Sequence, residues 1–256
     1  MDKSELLFAD AYENFYQLVE QNKLFSTYCE KVFGIDFSQD GFSDIAQVKD
    51  LMTIAKIKEG DTVLDIGCGN GKLAEYISDT TGATVYGFDY SDNAILAAKD
   101  RTRNKPKLHF EMGLIGEIQF PTNKFDVIIS VDTMYFAKDM SLFVSQIMEW
   151  LKPGGCFLSY YGEGHMEKRR TDMRYTELAY ACNQLGLNYK ELDYTRSHYE
   201  LMKHKRAVIS SMKKEFLFSN MAFYYLCAMD QSINKRMRFE KFQKKYNRFL
   251  YVVNKP

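Results

Sequence analysis

Residues 63–74 read VLDIGCGNGKLA: an apolar run carrying one acid, three alternating glycines, then the start of a helical pattern. A short apolar run that ends in a turn reads as a strand buried on both faces, the kind found in parallel sheets. Gly67, Gly69 and Gly71 stand at its carboxyl end, where main chain without a Cβ admits a ligand closely. The helix that follows presents its amino end to negative charge, which suits a carboxylate. The spacing is Gly-x-Gly-x-Gly, with Lys72 where a dinucleotide loop has its third glycine, and Leu73 where a triphosphate loop needs Ser or Thr. Nicotinamide, flavin and nucleotide hydrolysis therefore have no support.

Outward from this stretch the same pattern repeats. The runs ATVYGF, KLHFEM, FDVIIS and CFLSYY follow, with helical stretches at 72–78, 92–103 and 140–151 between the strands. Strand alternating with helix predicts an α/β fold, a parallel sheet covered on both faces. The second strand ends in VYGFDYS, placing Asp89 where an acid accepts both hydroxyls of a ribose. Amphipathic helices are predicted at 4–21 and 44–55. After the core come a helix near 170–185, a strand near 187–194, a helical stretch over 197–245, and a last strand, RFLYVV, at 248–253. The expected organisation is an N-terminal helical cap over 1–60, a core over 61–196, a helical lid insertion over 197–245 and a last core strand within 246–256.

Of 256 residues, 46% are hydrophobic and 27% charged, the composition of a soluble globular protein. With 19 Phe and 18 Tyr, an aromatic-lined cavity is expected beside the core. Five dispersed cysteines without a Cys-x-x-Cys pair, and only four histidines, predict free thiols in a reducing compartment and no metal site. The longest apolar run, 221–229, is too short to cross a bilayer, and Asp2, Glu5 and Asp10 speak against a signal peptide. A cytoplasmic location without membrane insertion is expected. Net charge is zero, yet residues 196–256 hold fourteen Lys and Arg against four Asp and Glu. Such a region suits a solvated basic face, an anionic substrate, RNA or a membrane surface.

Together VLDIGCGNG, GFDYS, FDVIISVDTMYF and LKPGG resemble the class I S-adenosylmethionine-dependent methyltransferases, particularly the small-molecule type-11 branch, over roughly residues 43–162. The resemblance implies a Rossmann-like seven-stranded sheet of order 3-2-1-4-5-7-6 with the last strand antiparallel. It also implies S-adenosylmethionine as cofactor, S-adenosylhomocysteine as product and no metal. Asp65, Cys68 and the Gly67, Gly69 and Gly71 backbone would then surround the methionine part, Asp89 would take the ribose, and Tyr90 would stack on adenine. Leu114, Ile115 and Val131 complete the implied cofactor contacts. Leu114 stands where many members carry an acid for the adenine amino group; Glu117 substitutes for it only if the loop bends inward.

Methyl transfer by direct displacement needs alignment and exclusion of water above all, and a base only where the nucleophile arrives protonated. The fourth strand ends at Asp132 and Tyr135, and the fifth at Tyr160 and His165, so these four are the candidates for orienting the acceptor. His165 is the candidate base, and Asp132 also suits a helix cap. Gln47, on the entering helix, is a further candidate for the donor side. The expected function is methylation of a nitrogen or oxygen of a small-molecule acceptor. Alternatives are a nucleic-acid methyltransferase, which the missing Asn/Asp-Pro-Pro-Tyr/Phe and Pro-Cys motifs disfavour, and a non-catalytic S-adenosylmethionine-binding protein. The sequence leaves oligomeric state open.

Overall fold

The protein is described from a computed structural model that covers residues 13–20, 22–38, 41–164 and 175–256. Most helices around the core begin at a cap written locally in the sequence. Asp44 caps α2 (Ile45–Ala55) through the Gln47 N–H, and Ser91 caps α4 (Asp92–Thr102) through the Ala94 N–H. Asp139 caps α5 (Met140–Trp150) through the Leu142 N–H. α1 (Lys23–Phe33) is capped by Asn22, and a further helical segment lies at residues 13–19. α3 (Lys72–Thr81) has no side-chain cap; it starts directly from Gly71, in the left-handed conformation at φ 74°.

The strands are β1 (Thr62–Ile66), β2 (Thr84–Asp89), β3 (Leu108–Met112), β4 (Phe125–Val131), β5 (Leu151–Tyr161), β6 (Tyr189–Asp193) and β7 (Phe249–Asn254). They form one sheet in the order β3-β2-β1-β4-β5-β7-β6. β7 runs antiparallel to both neighbours, as the resemblance implied. β5 begins earlier than the apolar pattern suggests. Its Leu-Lys-Pro-Gly-Gly start stays in the sheet because Leu151 pairs with Phe125, the register slips before Val127, and the Gly154 N–H donates to the Lys255 carbonyl.

α6 (Glu177–Gln184) precedes β6. The stretch between β6 and β7, read from sequence as one helical region, is four helices: α7 (Thr195–Ser211), α8 (Lys213–Leu217), α9 (Ala222–Gln231) and α10 (Phe239–Lys245). The break before α9 is held by Ser219, whose hydroxyl accepts from the Met221 N–H.

Three apolar cores result among the described residues. Two cover the opposite faces of the sheet, one around Phe125, Phe143 and Trp150, the other around Val63, Val85 and Ile129. The third lies off the sheet. There Phe15, Phe25, Tyr28 and Phe33 of the N-terminal helices pack against Phe216, Tyr224 and Phe242 of the insertion. Fully burying an aromatic of this size contributes about 1.5–3 kcal/mol, so this third core fastens the two appended segments to each other.

Candidate active site

β1 delivers Asp65 to the carboxyl edge of the sheet, and the chain then turns through the glycine loop. A Cβ on Gly67, at φ 67°, would lie 2.5 Å from the Thr133 methyl, so only glycine lets β1 and the end of β4 approach this closely. The loop's far end is different: Gly71 faces the Phe110 ring instead of the cavity, and its lack of a side chain serves packing. The Cys68 thiol is buried and pushed well up by burial and by the two nearby carboxylates, which leaves it an inert filler.

Asp89, at the end of β2, reaches back across the loop. Its carboxylate accepts from the Gly69 N–H at 2.9 Å and from the Ser91 N–H at 3.0 Å, which fixes the loop's shape. Asp65 has less support. It is 1% exposed, and its Oδ2 has no hydrogen-bond donor among the described residues. Burial, reinforced by the charge of Asp89, pushes its carboxyl up to about 8. A buried acid without a donor, beside a second carboxylate, is a place for a cationic, hydroxyl-bearing ligand. The ammonium and ribose of S-adenosylmethionine fit that demand.

These groups open into a cavity of about 630 Å³. Asp65, Gly67, Cys68, Gly69, Asp89, Tyr90, Leu114, Ile115 and Val131 line it, so the structure brings nine of the ten expected cofactor residues together and leaves Gly71 behind. A turn in which the Glu117 N–H donates to the Leu114 carbonyl also carries Glu117 to the lining. The other wall comes from the N-terminal segment: Tyr16, Phe37, Ser38, Gly41 and Ser43. Lys72 pins that segment down, donating to Asp36 at 2.8 Å and to the Ser38 hydroxyl at 2.7 Å.

The expected acceptor residues separate. Asp132 and Tyr135 line the cavity. Asp132 sits at φ 61°, and its side chain does not cap the helical turn Met134–Phe136. It is held by Arg248 at 2.6 and 2.9 Å, with further donors in the Phe42 N–H and the Ser43 and Tyr135 hydroxyls. A carboxylate so fully engaged orients its surroundings. Tyr135 stacks on Tyr161 at 4.8 Å and accepts from the Gly162 N–H at 3.1 Å, which fixes its hydroxyl.

Tyr160 is placed behind the wall. It is fully buried, its hydroxyl donates to the Gln47 carbonyl at 2.9 Å, and burial raises its pKa far above the ordinary value. The reason is strand alternation: the residue next to a core-facing position points to the opposite face. Gln47, also buried, accepts from Arg248 Nε at 3.1 Å and does not line the cavity. His165 lies outside the described residues. Sequence reasoning missed Arg248, Ser43 and Thr133. Arg248 opens the RFLYVV strand, but only the sheet order carries that strand's start to the end of β4.

A family model described as a methyltransferase domain matches residues 57–216. The chain belongs to the class I S-adenosylmethionine-dependent methyltransferases. Among curated relatives, the sterol 24-C-methyltransferase of Pneumocystis carinii is 41% identical over 109 residues, covering 41% of this chain and 29% of that protein. Phosphoethanolamine N-methyltransferase 2 of Caenorhabditis elegans is 28% identical over 73% of this chain and 46% of its own length. The Plasmodium falciparum phosphoethanolamine N-methyltransferase is 28% identical over 77% of this chain and 80% of its own. This chain thus spans less than half the length of the first two of these relatives. Among solved structures, Haemonchus contortus phosphoethanolamine N-methyltransferase 2, in complex with phosphomonomethylethanolamine and S-adenosylhomocysteine, superposes with a TM-score of 0.73. That likeness covers 96% of this chain and 60% of that one at 21% identity, and it concerns the fold. No helix among the described residues is long and apolar enough to cross a membrane.

Proposed function

We propose that this methyltransferase carries the methyl group of S-adenosylmethionine to a nitrogen or oxygen of a small-molecule acceptor, inside a cavity that the N-terminal segment closes. One observation carries the reading. A single cavity joins the buried, donor-poor Asp65 beside Asp89 on one side to an aromatic, electrically compensated wall of Tyr16, Phe37, Asp132 and Tyr135 on the other.

When bound, S-adenosylmethionine supplies an electrophilic methyl group on a positively charged sulfur. The chain's own part is to bind, align and keep water out. Asp65 and Asp89 hold cationic and hydroxyl groups on the cofactor side. Tyr135, fixed between Asp132 and the Gly162 N–H, presents a rigid hydroxyl to the acceptor. Alignment of this kind is worth about 7–11 kcal/mol of barrier in well-oriented systems, enough to make a strong base unnecessary for an acceptor that arrives unprotonated. For an acceptor that arrives protonated, His165 is assigned the base's role on sequence grounds.

The named relatives set the first acceptors to try, phosphoethanolamine and a sterol, followed by a wider panel of amines and alcohols. The test is S-adenosylhomocysteine release from radiolabelled S-adenosylmethionine, with the methylated product identified by mass. A methylated nitrogen or oxygen supports the proposal. Product methylated at carbon overturns the choice of atom, and binding without turnover across the panel favours the non-catalytic alternative.

A further inference from the structure

The α8–α9 hairpin of the insertion is apolar on both of its faces. Phe216, Met221, Tyr224 and Tyr225 are buried in the core shared with the N-terminal helices. Interleaved with them, Leu217, Phe218, Phe223 and Leu226 face water, Phe218 at 91% exposure and Phe223 at 74%. Folding accounts for the first set and gives no reason for the second. Single exposed apolar residues are ordinary; four large ones within ten residues mark a surface that meets something.

Charge says what. Lys213 and Lys214 stand immediately before the apolar residues and are exposed, as are Lys241, Lys244 and Lys245 of α10. The whole segment from residue 196 onward has fourteen basic and four acidic residues, and of the basic ones only Lys205 and Arg248 are buried. We propose that the face bearing Leu217, Phe218, Phe223 and Leu226 seats on the surface of an anionic lipid bilayer. The apolar side chains enter the interfacial layer and the lysines meet the head groups, the pairing that holds amphipathic surface elements on membranes. Nucleic acid would also attract the charge, but two of the four apolar residues are leucines, which offer a base no ring to stack on.

The placement ties this surface to the cavity. On the hairpin's inner side Tyr224 stacks on Phe15 at 5.7 Å, and the next residue, Tyr16, lines the cavity. The inner side of the hairpin is therefore in direct contact with the helix that carries a wall residue of the site. The inference does not depend on which acceptor is methylated.

The test uses the full chain and sedimentation with vesicles of phosphatidylcholine, with and without phosphatidylserine. The protein is expected to sediment with the anionic vesicles and to be released by salt. Lys213→Gln/Lys214→Gln should weaken partition about thirtyfold, at about 1 kcal/mol per lysine near an anionic surface. Phe218→Ser/Phe223→Ser should weaken it about tenfold or more, with circular dichroism and S-adenosylhomocysteine affinity unchanged. Failure of the wild type to sediment, or equal partition of wild type and both variants, overturns the proposal. So does a wild-type dimer in sedimentation equilibrium that Phe218→Ser/Phe223→Ser dissolves, or retention of single-stranded RNA in place of vesicles.

Discussion

Replacing Asp65 with asparagine keeps the side chain's size and removes its ability to ionise. Burial and the neighbouring Asp89 push the Asp65 carboxyl from 3.8 to about 8. In the unfolded chain the same group ionises near pH 4, so between about pH 4 and 8 the folded protein holds a proton that the unfolded one has released. Stability contributed at this position is therefore full at low pH and is lost as pH rises through that window. At pH 7 the loss corresponds to roughly three pH units at about 1.4 kcal/mol each, about 4 kcal/mol in all. Asp65→Asn escapes it. Without ligand, the variant should match the wild type near pH 4 and exceed it by an amount that grows to about 4 kcal/mol at pH 7. Urea unfolding over that pH range measures the difference directly. Adding S-adenosylhomocysteine, whose ammonium compensates the carboxylate, should stabilise the wild type more than the variant. Two parallel pH profiles with a constant offset would refute the reasoning, because Asp65 would then ionise alike in both states and would not mark a cation's place.

Three further outcomes are expected. Asp89→Ala removes the acceptor of the Gly69 and Ser91 N–H groups and, on the proposed reading, that of the ribose, and should weaken S-adenosylmethionine and S-adenosylhomocysteine about tenfold or more by calorimetry. Arg248→Met leaves the Asp132 carboxylate buried and uncompensated, which should cost about 3–5 kcal/mol in chemical denaturation, part of it recovered on adding Asp132→Asn. Once an acceptor is known, His165→Ala should slow single-turnover transfer about a hundredfold and erase an ionisation near neutral pH if His165 removes a proton; superimposable profiles would leave it no such role.

What the sequence determined is what depends on neighbours in the chain. The alternation of apolar runs and amphipathic stretches specifies β1 to β5 and their helices, because burial and hydrogen bonding act over a few residues. Asp44, Ser91 and Asp139 mark helix starts through bonds to N–H groups three residues on. The glycine loop and Asp89 are legible for the same reason: both end strands whose carboxyl edge the alternation already locates. What tertiary structure decided is what joins distant residues. Asp132 and Arg248 are 116 residues apart and share no local signal, yet their pairing fixes the charge of that cavity wall. Tyr160 and Tyr161 are adjacent and chemically alike. One is sealed against Gln47 while the other stacks under the cavity-lining Tyr135, a choice made by which face of the sheet each strand position meets. The aromatic residues of the insertion likewise read as one stripe. Packing against the N-terminal helices buries Phe216 and Tyr224 and leaves Phe218 and Phe223 in water, because a helix has two sides and only contact with a second element determines which one becomes core.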